Sequence, residues 1–84
     1  MLRITRSRAA GGEICLRLEG ELAGLDLAEL SRSAHAGLLE GALILDLGDV
    51  SLVSAPGRSL LRSLRDSGAL LVDCPPSIAG MLDV

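Results

Sequence analysis

The residues best placed to do chemistry lie between positions 48 and 65. Arg58, Arg62 and Arg65 follow i, i+4, i+7, a spacing that puts three guanidinium groups on one outer stripe of a helix. Such a stripe is either an ordinary solvated face or a basic docking strip for an acidic or phosphorylated partner, and both readings stand at this point. It concentrates three of the eight arginines in a chain whose formal charge is −3. Just before it, residues 48–57 combine two glycines, a proline and several apolar residues, with Ser54, Ala55, Pro56 and Gly57 at the end. A loop of this kind between a strand and a helix is where open α/β sheets bind ligands, and a helix N-terminus there attracts anions. The segment has no GxxxxGK cradle and the chain has no Lys, which argues against a nucleotide. Ser54 has no neighbouring base in sequence and no Gly-x-Ser-x-Gly elbow around it. His35, the single histidine, sits on the polar side of a helical pattern and reads as a surface residue. Cys15 and Cys74 form no CxxC pair and have no His at ligand spacing, so free, buried thiols are expected, with neither metal nor cofactor. Nothing in these groups argues for catalysis.

Composition narrows the classes further. Eighty-four residues suit one domain, near the lower size for a core that stands without staples. The chain has 49% hydrophobic residues and no Phe, Tyr or Trp, so Leu, Ile, Val and Ala must build the core and no aromatic platform exists for bases. An acidic balance, with all positive charge on arginine, also disfavours nucleic acid. No apolar run reaches the length of a membrane span, so the expectation is a cytoplasmic protein without membrane insertion.

The elements that must position the site follow from hydrophobic period. Residues 2–8 and 13–19 alternate with a period of two, and Ala9-Ala10-Gly11-Gly12 between them predicts a hairpin. From Asp26 the period becomes helical: Leu27, Leu30, Ala34 and Leu38 share a stripe over about 26–39, with Asp26 and Glu29 spaced as a capping box and a stop near Gly41. Residues 42–47 predict a more apolar strand leading into the loop 48–55. Pro56 then opens a helix whose inner side carries Leu60, Leu61 and Leu64 and which ends at Ser67-Gly68. Residues 69–73 predict a last strand, broken by Pro75-Pro76, and Ser77 is placed to cap a short final helix. The order β-β-α-β-α-β-α implies parallel strands from the second onward. Because Cys15, Arg17, Glu19, Asp46 and Asp73 recur on alternate positions, helices should cover one face only. The expected fold is α/β, a four-stranded mixed sheet with three helices on one side. Its core should hold Leu16, Leu18, Leu27, Leu30, Leu43, Leu45, Leu60, Leu64 and Leu70.

Leu18-Glu19-Gly20-Glu21-Leu22, Leu45-Asp46-Leu47 with Val50 and Leu52, and Gly68 to Leu71 followed by Pro75, Pro76 and Ile78 recur in the order and spacing of a known family. The chain resembles the sulfate-transporter and anti-sigma-factor-antagonist (STAS) domain over almost its whole length. The resemblance implies a small β/α superhelix, spanning 1–84 as one domain short of the family's last strand and helix. It also implies that the loop before the second helix, with that helix, faces a protein partner. Phospho-regulated members carry Asp-Ser-Ser-Gly there, the first Ser being the acceptor. Anchored on Gly57, this chain reads Ser54-Ala55-Pro56-Gly57, so Ala55 occupies the acceptor position without a hydroxyl.

The resemblance therefore implies a non-enzymatic regulatory interaction module of the anti-sigma-antagonist kind, its partner an anti-sigma-factor or kinase-like regulator. The expected partner-binding residues are Ser54, Ala55, Pro56, Gly57, Arg58, Arg62 and Arg65. A cytoplasmic STAS-type subunit of a membrane transport system is the alternative, and a small-ligand or nucleotide sensor using residues 48–57 a third. An open edge at 69–73 predicts in addition a homodimer.

Overall fold

The computed structural model describes residues 1–76. Their order is β1 (Leu2–Arg8), β2 (Ile14–Leu22), α1 (Asp26–Glu40), β3 (Leu43–Val53), α2 (Ala55–Asp66) and β4 (Leu70–Val72). The four strands form one sheet in the order β1-β2-β3-β4. β1 runs antiparallel to β2, whereas β2, β3 and β4 are mutually parallel. The predicted helix after Ser77 and the residue Ile78 lie outside the described residues.

Side chains alternate across the sheet, and the alternation decides what each face meets. Leu16, Leu18, Leu43, Leu45 and Leu47 point inward and are fully buried with Leu22, Leu30, Ala34, Leu61 and Leu64. The helices supply the cover: α1 buries Leu30, Ala34 and Gly37, and α2 buries Gly57, Leu61 and Leu64. On the other face Arg17 is exposed, and it pairs with Asp49, its Nε lying 3.1 Å from Oδ2. That hydrogen bond, then the charges of Asp49 and Glu19, hold the guanidinium above its ordinary pKa. An ion-paired row on a sheet marks a face left to water, so among the described residues the helices lie on one side, as expected.

Four details differ from expectation. The segment 48–53 is strand: β3 runs on to Val53 because β2 itself extends to Leu22 and supplies ladder partners, Glu21 for Leu52 and Leu22 for Val53. Two register shifts let the strand continue: Leu47 and Gly48 lie between the partners of Arg17 and Glu19, and Ser51 between those of Gly20 and Glu21. Asp26 does not cap α1. Leu25 holds the N-cap position with no side-chain bond, and the Asp26 carboxylate accepts the Leu2 N–H at 3.1 Å, tying β1 to the helix start. Leu70 is 58% exposed while Ala69 is buried and Leu71 half-buried, because pairing Leu70 with Ile44 puts it on the uncovered face. Leu27 and Leu60 are half-buried at the margin of the core.

Candidate functional site at the end of the parallel strands

Parallel strands carry their loops to one end, and here β2 and β3 finish side by side, Leu22 opposite Val53. The chain then turns into α2 through Ser54, whose backbone is extended (φ −71, ψ 167) and whose side chain caps the helix. Ser54 Oγ accepts the Gly57 N–H at 3.1 Å and donates to the Leu22 carbonyl at 3.2 Å. The Ser54 N–H reaches the same carbonyl at 3.0 Å. The hydroxyl is thus committed on both sides. Ala55 and Pro56, next in line, are exposed, and Pro56 serves in the first turn, where its missing N–H costs nothing.

The tightest point is Gly57. It is buried, and a Cβ there would stand 2.6 Å from the Leu22 carbonyl oxygen and 3.1 Å from a methyl of Val53. No side chain fits without moving α2 off the sheet. A bare α-carbon at this position lets the helix start press directly against the strand ends.

The three arginines share one stripe of α2, but not its outermost line. At about 100° per residue they lie roughly a quarter to a third of a turn from the buried line of Gly57, Leu61 and Leu64, with Ser59, Ser63 and Asp66 facing outward instead. Arg58 and Arg62 are accordingly half-buried, with Nε of Arg62 itself buried, and Arg65 is exposed with its Nε 3.8 Å from Asp66. The strip is a flank of α2 that begins beside the Ser54 cap.

Two leucines at this end were not singled out by sequence. Leu25, in the turn between β2 and α1, is 96% exposed, and Leu52, in the last part of β3, is 50% exposed. Sequence offers only a weak signal for either, since both fit an apolar pattern that buries most of its members. Like Ala55 and Pro56, they are apolar residues left exposed at the end of the sheet where β2 and β3 finish. His35 is exposed, its Nδ1 2.7 Å from the Ser31 carbonyl, one turn back along α1. Cys15 and Cys74 are half-buried and are not joined in a disulfide with each other. Among the described residues no cluster of His, Cys, Asp and Glu has the arrangement of a metal site, and no helix is long and apolar enough to cross a membrane. The arrangement supplies hydrogen-bond caps, apolar contact and positive charge, the means of binding a surface.

No family model matches the sequence, and no curated protein matches it either. Solved structures do match in shape. The unphosphorylated form of the anti-sigma-factor antagonist SpoIIAA superposes with a TM-score of 0.77 at 14% identity, over 96% of this chain and 82% of that one. The STAS domain of an antisigma-factor antagonist from Rhodobacter sphaeroides superposes with a TM-score of 0.61 at 14% identity, over 84% and 83%. The fold of this chain is that of the STAS domain.

Proposed function

We propose that the chain is a cytoplasmic, bacterial, non-enzymatic regulatory module that binds a protein partner through the end of its parallel strands, in the manner of an anti-sigma-factor antagonist. The observation carrying this reading is the exposure of Leu25 and Leu52 at the end of the parallel strands, in a fold shared with anti-sigma-factor antagonists. Apolar surface left in water and rimmed by charge is characteristic of interaction sites. Ala55, Pro56 and Gly57 shape the strand-to-helix junction, and Arg58, Arg62 and Arg65 favour a partner with an acidic surface. Ala55, at the position where phospho-regulated members carry serine, has no hydroxyl, and that of Ser54 is held in the cap. Binding would therefore be constitutive. The β4 edge, free among the described residues and carrying the exposed Leu70, supports pairing with a second copy of the chain.

Affinity purification from native lysate, read by mass spectrometry, tests the reading. Enrichment of a kinase-like or anti-sigma regulator is the expected result. Enrichment of a permease or transport ATPase in its place would overturn it.

A further inference from the structure

The opposite edge of the sheet carries a second surface, unrelated to the α2 end. β1 is an edge strand of seven residues, and its hydrogen bonds to β2 alternate. Ala9 N–H bonds to the Glu13 carbonyl and Glu21 N–H to the Met1 carbonyl, so odd-numbered residues face β2. The backbone groups of Leu2, Ile4, Arg6 and Arg8 consequently point off the sheet. At one end of this row Leu2 N–H is taken by Asp26. The groups of Ile4, Arg6 and Arg8 have no such partner among the described residues.

Alongside this edge the helix layer leaves a gap. α1 sits over β2 and β3, and between its flank and β1 opens a groove of about 370 Å³ lined by Ile4, Arg6, Leu16, Glu29, Arg32 and Ser33, with Ala36 closing it. Its floor is apolar, from Ile4 and Leu16. Its rim is basic. Arg6 and Arg8 share the single carboxylate of Glu40, and Arg32 has no ion pair among the described residues. Against these three guanidinium groups stand Glu29 and Glu40, so the rim is net positive on a chain that is net negative.

A free strand edge, a groove beside it and a basic rim are the parts of a strand-addition site. We propose that the β1 edge and the β1–α1 groove bind an extended, acidic peptide segment of a partner protein. The segment adds as a fifth strand through the outward backbone groups of Ile4, Arg6 and Arg8. An aliphatic side chain of the peptide enters the groove over Ile4 and Leu16, and its carboxylates meet Arg32 and the Arg6–Arg8 pair. The pleat places alternate peptide side chains on the groove side, so an aliphatic residue at every second position fits best.

The test uses the full chain and a fluorescent nine-residue peptide of alternating Val and Glu, read by anisotropy and by amide chemical shifts. Saturable binding is expected, with the largest shifts at Ile4, Arg6 and Arg8. N-methylation of alternate peptide amides, replacement of Glu by Lys, and the variant Arg32→Glu should each weaken it by about tenfold or more. Arg32 is exposed, so circular dichroism should show its variant folded. No binding at millimolar peptide would overturn the proposal. Indifference to N-methylation would overturn strand addition, and equal affinity for the lysine peptide or unchanged binding by Arg32→Glu would overturn the acidic specificity.

Discussion

The carbonyl oxygen of Leu22 lies 2.6 Å from where a Cβ on residue 57 would stand, and it accepts hydrogen bonds from both the N–H and the hydroxyl of Ser54. One backbone atom of β2 therefore fixes how α2 begins, and α2 carries the surface proposed to meet a partner. Gly57→Ala forces the helix start away from that atom and should destabilise the fold by about 1–3 kcal/mol, as overpacking does elsewhere. Ser54→Ala removes the cap and should cost about 1 kcal/mol. Urea unfolding measures both. A neutral Gly57→Ala would mean that α2 does not seat on Leu22.

Phosphorylation follows from the same contacts. Ala55 is exposed but has no hydroxyl, and the Ser54 hydroxyl is engaged by Leu22 and Gly57. Kinases that modify phospho-regulated antagonists should leave residues 54 and 55 of the wild type unlabelled and should label Ala55→Ser. Peptide mapping by mass spectrometry reads the outcome, and stoichiometric label on wild-type Ser54 would refute it.

Much of this arrangement is legible in sequence, for physical reasons. The period-two runs, the Leu27-Leu30-Ala34-Leu38 stripe and the polar alternation of Arg17 and Asp46 report directly which face is wet, and they yield the strands, α1 and the one-sided sheet. Pro56 is equally readable as a helix opener because its effect is local, whereas the cap that Ser54 supplies comes from the structure. What stays hidden depends on distant neighbours. Gly48-Asp49 looks like a turn until β2 is known to run alongside. Asp26 looks like a cap until the Leu2 N–H arrives from β1. Leu70 reads as core, and nothing in the sequence marks Leu25 and Leu52 as exposed, because composition does not say which leucines the fold leaves outside; the groove beside β1 exists only once α1 is seen to stop short of the sheet edge.

Glu40 supplies a pH test. The hydrogen bond from Arg6, then the charges of Arg6 and Arg8, hold its carboxyl below the usual carboxylate range. A group with a depressed folded pKa contributes stability above its unfolded pKa and loses that contribution as pH falls through its folded value. Stability should therefore decline on the acid side, and the decline should be shallower in Glu40→Gln. The pair is exposed, so the difference should be small and should shrink with salt. An identical acid slope in the two proteins, by thermal unfolding at stepped pH, would contradict this account.

Self-association is tested at β4. If a second copy pairs along this edge, light scattering with size exclusion should give a dimer mass at tens of micromolar, and Leu70→Lys should return the monomer, since Leu70 is exposed and its loss leaves the core intact. A monomer mass for the wild type would remove the β4 edge as an interface.

The most direct test of the central claim is capture of the enriched partner by the wild type, by Leu25→Asp with Arg58→Glu, and by the β1-edge variant Arg3→Glu, compared at equal protein after circular dichroism. Leu25 and Arg3 are exposed, where substitutions usually change stability by under about 0.5 kcal/mol, and Arg58 is half-buried, so capture is compared only between proteins that circular dichroism shows to be folded. The account predicts that the first variant loses capture and the second keeps it. Undiminished capture by the folded Leu25→Asp, Arg58→Glu variant would contradict it.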